Sequence, residues 1–225
     1  MQVTSAPFVR RTSAAIALAF AAFATLRSGD GVAQSNSVVP TPSQATAATS
    51  RTLLNSERIA RRFGSYGIEV LQSDSRVRVS NLYSEEGGMR TCRTFAVVVY
   101  PAALDGAIAA EQAEIANGGS IGAVFAAQGW QVVKTNLRYA EITAPDRVAD
   151  LMRIARGTRL ATHAYELDVA KAGRSIEYAM LVEIHHPDYL RLDDLRSIYG
   201  AADATGRERA LDDLLATALH AAGAR

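Results

Sequence analysis

The stretch from Arg78 to Pro101 reads RVSNLYSEEGGMRTCRTFAVVVYP, and it decides the fold that we expect. Two runs rich in strand-forming residues flank Glu-Glu-Gly-Gly at positions 85–88, which has the composition of a hairpin turn. The stretch from Thr162 to Tyr189, THAYELDVAKAGRSIEYAMLVEIHHPDY, is a second hairpin that turns at Lys-Ala-Gly. Each hairpin carries one charged residue where a core side chain is expected, Arg78 in the first and Glu183 in the second. Such a pair can bind and polarise a small acid.

The rest of the chain alternates helices with these hairpins. Apolar periodicity, together with flanking glycine and proline, predicts helices over residues 53–63, 102–116, 121–127, 145–154, 190–198 and 206–222. It predicts strands over residues 68–71, 77–83, 91–100, 130–143, 159–170 and 174–185. Because hairpins are mixed with helices, we expect an α+β domain with an antiparallel sheet flanked by helices, not a parallel βαβ sheet.

Residues 1–33 have the pattern of a secretory signal peptide. Arg10 and Arg11 precede the apolar run Ala14–Leu26, and small residues follow, with cleavage expected near Ala33. An uncleaved anchor is the alternative, but the run is shorter than the roughly 20 residues that span a bilayer. We therefore expect a periplasmic or secreted protein with no membrane association after cleavage. Residues 34–50 predict a flexible spacer, residues 51–189 the folded domain, and residues 190–225 a C-terminal helical extension of that domain.

The charge balance bears on the partners that the protein can have. The chain has 24 basic and 23 acidic residues, and removing residues 1–33 changes the formal charge from +1 to −1. A nearly neutral chain argues against nucleic acid as a partner. The remainder, about 190 residues, is long enough for one core and short for two domains.

Cysteine, histidine and motif content limit the chemistry. Cys92 is the only cysteine, which excludes an intramolecular disulfide and a cysteine-rich zinc site, and its apolar strand favours a small buried residue over a catalytic thiol. His185 and His186 are adjacent, so a strand points them to opposite faces, and we expect surface or hairpin-end histidines. No dinucleotide, P-loop or HExxH motif occurs. We expect no metal and no organic cofactor.

The glycine-rich stretch at residues 118–122, GGSIG, has two interpretations. It leads into a predicted helix whose N-terminal amides can hold an anion such as a carboxylate. It is equally a plain turn that needs no ligand.

The order of these motifs resembles chorismate pyruvate-lyase and its relative, the effector-binding UTRA domain. The resemblance covers about residues 52–189. It consists of a helix ending in Arg62-Phe63, a strand starting at Arg78, a glycine-tipped turn, Arg93-Thr94 followed by the strand-ending Pro101, Gly119-x-Ile121-Gly122, and Glu183-x-x-x-Pro187.

The resemblance implies a function. Chorismate lyases cleave chorismate to 4-hydroxybenzoate and pyruvate without a metal or an organic cofactor. Carried over by position, Arg78 would hold the ring carboxylate and Glu183 would handle the proton near the ring oxygen. Ile59, Ile121 and Gly122 would border the substrate, and Ile59 and Ile121 would form apolar wall. A guanidinium matches a carboxylate bidentately, and a glutamate desolvated in a pocket is expected to have a raised pKa.

Several alternatives stay open at this stage. Arg93 is a second positive contact for the substrate or, as we favour, pairs with an acid across the sheet. The alternative for Arg78 and Glu183 is an ordinary ion pair with each other across the sheet. Two functions are therefore considered: an exported lyase acting on chorismate or a related enolpyruvyl acid, and a non-catalytic periplasmic domain that binds a small aromatic carboxylate.

Overall fold

The computed structural model describes residues Leu53–Gly223, which form six strands and six α-helices. In chain order these are α1 (Asn55–Phe63), β1 (Gly67–Ser73), β2 (Val77–Glu86), β3 (Met89–Val99), α2 (Ala109–Ala116), α3 (Ile121–Ala127), β4 (Gln131–Thr143), α4 (Asp146–Met152), β5 (Arg159–Lys171), β6 (Arg174–His185), α5 (Leu192–Tyr199) and α6 (Glu208–Ala221). The strands and helices follow the order that the sequence predicts.

The six strands form one antiparallel sheet in the order β1-β2-β3-β6-β5-β4. The two predicted hairpins are β2–β3 and β5–β6, and the pairing of β3 with β6 joins them. In that pairing Ala96 lies opposite Glu183 and Val98 opposite Leu181. The prediction of an α+β domain with an antiparallel sheet flanked by helices is confirmed.

Helices cover both faces of the sheet. One face of the sheet, here called the cavity face, carries Arg78, Ala96 and Glu183. These residues lie on the same face because they occupy paired or alternate positions on three neighbouring strands. Two apolar clusters lie on it, one with α1 and α5 and the other with α2 and α3. The opposite face packs Phe95 and its neighbours against α4 and α6. The predicted C-terminal helices therefore contribute to both layers.

Some predicted boundaries shift for local reasons. The helix expected from residue 102 begins only at Ala109, after a short 3-10 turn at Gly106–Ile108. The Asp105 carboxylate accepts the Ala107 N–H at 2.9 Å and so starts a new turn at that point. The first hairpin is longer than predicted, because Gly87 and Gly88 both adopt positive φ and close it with two residues.

The expected signal peptide and the spacer up to residue 50 lie outside the described residues. Within residues 53–223, no helix combines the length and the apolar character that crossing a bilayer requires.

Cys92 is buried on β3, as the sequence predicts, with 1% of its surface exposed. Burial raises the pKa of its thiol far above the ordinary value. Because the thiolate is the reactive form, we expect native protein not to react with a disulfide reagent such as DTNB at pH 8. One equivalent should react after unfolding in guanidinium chloride. A native reaction as fast as that of the unfolded chain would contradict the buried position of β3.

Candidate functional site

A cavity opens on the cavity face where the sheet meets the N-terminal ends of α1 and α3. Its free volume is about 70 Å³, which is several times the ~10–15 Å³ that one water molecule needs. A small molecule therefore suits it better than a peptide or an oligonucleotide. The polar or charged residues that line it are Asn55, Ser56, Arg78, Ser80, Ser120, Lys134, Tyr165 and Glu183, and most of the others are aliphatic.

Arg78 is the most deeply buried charge of the cavity, with 1% of its surface exposed. Its Nη2 donates to the Gly119 carbonyl at 2.9 Å, whereas its Nε has no hydrogen-bond partner. Gly119 is required at this turn, because a Cβ there would lie 2.8 Å from Val124 Cγ2. Within residues 53–223 no carboxylate lies within ion-pair distance of Arg78. Arg78 is thus a cation of the cavity that forms no ion pair with a described carboxylate.

Glu183 is held by a network that begins on α1. Asn55 Nδ2 donates to Glu183 Oε1 at 3.1 Å and to Thr94 Oγ1 at 3.3 Å. The Tyr189 hydroxyl donates to Asn55 Oδ1 at 2.5 Å, which fixes the orientation of the amide. Glu183 is 4% exposed, and its Oε2 has no hydrogen-bond partner. One carboxylate oxygen is therefore positioned by a hydrogen bond, and the other remains an acceptor without a donor.

Arg78 and Glu183 share the cavity without forming an ion pair. They lie two strands and two residues apart, which corresponds to about 12 Å between their Cα atoms. The neighbour of Glu183 Oε2 is instead the His185 ring, whose Nε2 lies 3.9 Å away and which burial keeps neutral near pH 7. The alternative of an ordinary ion pair across the sheet is therefore wrong.

The expectation of a raised pKa for Glu183 is also wrong. Burial raises the pKa of this carboxyl, but nearby positive charge, above all that of Lys134, outweighs the effect and lowers the pKa below its ordinary value. Sequence reasoning took account of the desolvation but not of the lysine. Glu183 is a carboxylate at neutral pH and acts as a hydrogen-bond acceptor.

Lys134 on β4 supplies the second cation of the cavity. Its Nζ lies 4.1 Å from the centre of the Tyr165 ring and 5.3 Å from that of Tyr199. Burial, the largest cause, lowers its pKa; Glu183 opposes this effect and Arg58 adds to it. With Arg78 and Lys134 positive and Glu183 negative, the cavity carries a formal charge of +1, which favours an anionic ligand.

Two uncharged histidines stand beside Glu183. The His163 ring stacks with Tyr139, Tyr165 and Tyr199 at centroid distances of 4.6–4.9 Å. Asn136 Nδ2 donates to the Tyr199 carbonyl, so Asn136 Oδ1 accepts from His163 Nε2 at 2.9 Å. Burial lowers the pKa of His163 to about 3 and that of His185 to about 4. Both rings are therefore neutral near pH 7.

The histidines differ from their sequence prediction in one respect. His185 and His186 do point to opposite faces, toward Thr94 and toward the Met152 carbonyl. They are buried, however, and not surface residues, because the chain after β6 folds back over the sheet. Among residues 53–223, no three histidine, cysteine, aspartate or glutamate side chains are grouped so that they could hold a metal ion.

The structure brings together four of the six predicted site residues. Arg78, Glu183, Ile121 and Gly122 line the cavity. Gly122 sits where α3 meets α1, and a Cβ at this position would lie 2.9 Å from Leu54 Cδ2. The Ser-Ile-Gly stretch at residues 120–122 therefore forms cavity wall as well as a turn.

Ile59 and Arg93 do not line the cavity. Ile59 is fully buried in the apolar cluster under α1 and α5. Arg93 donates to Ser84 and pairs with Glu86 on the neighbouring strand at 2.8 Å, and its guanidinium stacks 3.8 Å from the Phe63 ring centre. The favoured interpretation of Arg93, pairing with an acid across the sheet, matches this geometry.

Sequence reasoning missed Asn55, Ser80 and Lys134. Ser80 was recoverable, because it lies two residues from Arg78 on the same strand face. Lys134 had one signal, since it is one of two lysines in a chain of 24 basic residues and occurs in a predicted strand. Nothing local marked Asn55, which reaches Glu183 only through the packing of α1 on the sheet.

Comparisons with known proteins give similarity in structure only. No protein-family model and no curated protein matches the sequence. Among solved structures, a GntR-family transcriptional regulator from Enterococcus faecalis is 13% identical, with 56% of this chain and 93% of that chain covered and a TM-score of 0.35.

Two C-terminal domains are similar at the same level. That of Yurk from Bacillus subtilis is 16% identical, with 60% and 84% covered and a TM-score of 0.30. That of the histidine utilization repressor from Pseudomonas syringae is 13% identical, with 57% and 91% covered and a TM-score of 0.32. Identities of 13–16% and TM-scores of 0.30–0.35 establish no role for this chain.

The neutral histidines make stability depend on pH. Because burial lowers the pKa of His163 and His185, the unfolded chain binds protons that the folded chain does not, between about pH 4 and 6.5. The free energy of unfolding should therefore fall as pH is lowered through this window, by up to about 1.4 kcal/mol per pH unit for each histidine. Urea titrations at several pH values measure this slope.

A matched pair of variants assigns the slope to the site. His163→Gln should make the dependence on pH shallower between pH 4 and 6.5, whereas His220→Gln, at an exposed position on α6, should leave it unchanged. Equal slopes for the wild-type protein and His163→Gln would show that His163 is not held neutral by the fold.

Proposed function

We propose that this protein binds a small organic acid in the cavity, with Arg78 as the anchor of its carboxylate. One observation carries the proposal: the Arg78 guanidinium is buried, and its described hydrogen-bond partner is a single carbonyl. A buried charge without a counter-ion costs several kcal/mol. A carboxylate that accepts two parallel N–H bonds offsets that cost and satisfies the free Nε.

The rest of the cavity wall indicates the chemistry of the ligand beyond its carboxylate. Leu54, Ile68, Leu82, Val98 and Leu181 give the cavity an apolar lining. Glu183 and Ser80 line it as well, and Glu183 Oε2 and Ser80 Oγ have no hydrogen-bond partners. Because the pKa of Glu183 is lowered, it accepts a hydrogen bond. The ligand class is therefore a carboxylate on an apolar, preferably aromatic body that carries a hydroxyl or another donor, such as 4-hydroxybenzoate.

A second candidate is cleavage of chorismate or a related enolpyruvyl acid. The observation that favours it is that Arg78 and Glu183, the two positions matched to the lyases, line one cavity while remaining apart from each other. In that reaction the bond between the ring carbon and the ether oxygen breaks, pyruvate leaves and the ring becomes aromatic. Arg78 would orient the ring carboxylate, and Glu183 would accept a proton as a carboxylate. Export through residues 1–33 belongs to the proposal for either candidate.

Binding of 4-hydroxybenzoate, measured by isothermal titration calorimetry, tests the first candidate. Arg78→Gln removes the charge and should weaken binding roughly 10- to 100-fold, because a hydrogen bond to a charged group contributes about 1.5–3 kcal/mol. Arg93→Gln is the matched control: this arginine is also buried, on the adjacent strand, but lies outside the cavity. The affinity of the Arg93→Gln variant for 4-hydroxybenzoate should equal that of the wild-type protein. Binding that is unaffected by Arg78→Gln contradicts the assignment of the anchor.

Incubation with chorismate tests the second candidate, with 4-hydroxybenzoate followed by absorbance and pyruvate by a coupled assay. A lyase should release the two products in equal amounts and lose turnover in Glu183→Gln, which keeps the shape of the side chain but not its charge. If the protein binds chorismate and releases neither product, it is a binding domain. If it neither binds nor converts chorismate or 4-hydroxybenzoate, both candidates fail.

A further inference from the structure

We propose that Lys134 forms an imine with a ligand that carries a carbonyl group, so that the cavity can hold its ligand covalently. The inference rests on the proposed function, because Arg78 supplies the anchor for the carboxylate of the same ligand. The ligand class becomes more specific: an oxo acid, with a carboxylate at one end of an apolar body and an aldehyde or ketone at the other.

The position of Lys134 carries the inference. Its side chain lines the main cavity and also a neighbouring surface pocket formed with Leu53, Ile198 and Tyr199. The amine therefore lies where a ligand enters from the surface. Within the described part of the chain, Nζ makes no hydrogen bond and no ion pair within 4.0 Å, and its two described neighbours are the rings of Tyr165 and Tyr199. The amine is therefore free of hydrogen bonds to the protein.

The surroundings of Lys134 favour the nucleophilic form. An amine attacks a carbonyl only when it is neutral. Burial has the largest effect on Lys134 and lowers its pKa. The Glu183 carboxylate raises this pKa and Arg58 lowers it, and the net result is a lowered pKa. A larger fraction of Lys134 is therefore neutral near pH 7 than of an unperturbed lysine.

The strand order separates the two ends of the ligand. Arg78 is on β2 and Lys134 is on β4, four strand spacings away, which corresponds to about 19 Å between their Cα atoms. Both side chains are long and line the same cavity. A ligand body fits between the guanidinium and the amine, and Glu183 on β6 lies between the two strands.

The reaction balances without an oxidant or a reductant. The neutral amine attacks the carbonyl carbon, a C–N bond forms, and the carbonyl π pair moves to oxygen. One amine proton is transferred to that oxygen, giving a hydroxyl group. The C–O bond then breaks, the second amine proton leaves with the hydroxyl as water, and a C=N bond remains. Glu183, through its unpartnered Oε2, is the nearby carboxylate that can accept and return the moving proton.

The two-lysine composition makes a sharp test. Lys171, the only other lysine, donates to the Gln128 carbonyl at 2.8 Å on the far hairpin and serves as the internal control. The purified protein is incubated with 4-formylbenzoate and sodium cyanoborohydride at pH 7, and the reduced adducts are located by peptide mass spectrometry. We expect Lys134 to be labelled at least about tenfold faster than Lys171, because the Arg78 anchor would hold the aldehyde of the bound probe beside the Lys134 amine. Benzoate in excess should compete with labelling of Lys134.

Variants separate this inference from the proposed function. Lys134→Arg should give no adduct at position 134, whereas Lys171→Met should leave labelling of Lys134 unchanged. Calorimetry of the wild-type protein with benzoate measures the carboxylate site separately. Equal labelling of the two lysines, or labelling of Lys134 that benzoate does not reduce, overturns the imine proposal. Benzoate binding without any Lys134 adduct overturns it while the carboxylate site stands. If neither benzoate binding nor a Lys134 adduct is found, the imine proposal and the proposed carboxylate site are both overturned.

Discussion

The buried charge of Arg78 is the constraint on which the rest of the site depends. A guanidinium placed inside a sheet–helix interface requires hydrogen-bond acceptors and a compensating anion. The fold provides one acceptor, the Gly119 carbonyl, by bringing a glycine turn close to β2. The surroundings also determine the protonation of the other titratable groups. Glu183 stays ionised because Lys134 is near, and two histidines stay neutral because they are buried. The result is a cavity whose positive charge exceeds its negative charge.

Much of this architecture could be predicted from the sequence, because it depends on local patterns. The alternation of residue types in the two hairpins predicted the strands. The same alternation predicted that the charged side chains of Arg78 and Glu183 point inward. The helix at residues 121–127 was predicted with the same bounds, since the preceding glycines end one helix before the next begins. The glycines at positions 119 and 122 proved to be sites of close packing that leave no room for a Cβ.

The remainder of the site could not be read from local patterns, because it depends on which strands become neighbours. Lys134 lies on an edge strand, and it joins the cavity because β4 pairs with β5 and not with the strands that precede it. Asn55 reaches Glu183 across 128 positions of sequence. Nearby positive charge, above all that of Lys134, lowers the pKa of Glu183, so a prediction based on burial alone gave the opposite sign. Ile59 and Arg93 illustrate the converse, because their residue types suited a site but Ile59 lies on the buried side of α1 and Arg93 pairs with Glu86.

The strand order divides the site between two halves of the sheet. β1, β2 and β3 form one half of the sheet and β4, β5 and β6 the other, and the two halves meet at the pairing of β3 with β6. Arg78 belongs to the first half, whereas Glu183 and Lys134 belong to the second. Neither half contains a complete site, so the proposed acid would link the two halves across their shared seam. Its affinity would then be coupled to the docking of the halves, and the occupied fraction would increase with assembly of the sheet.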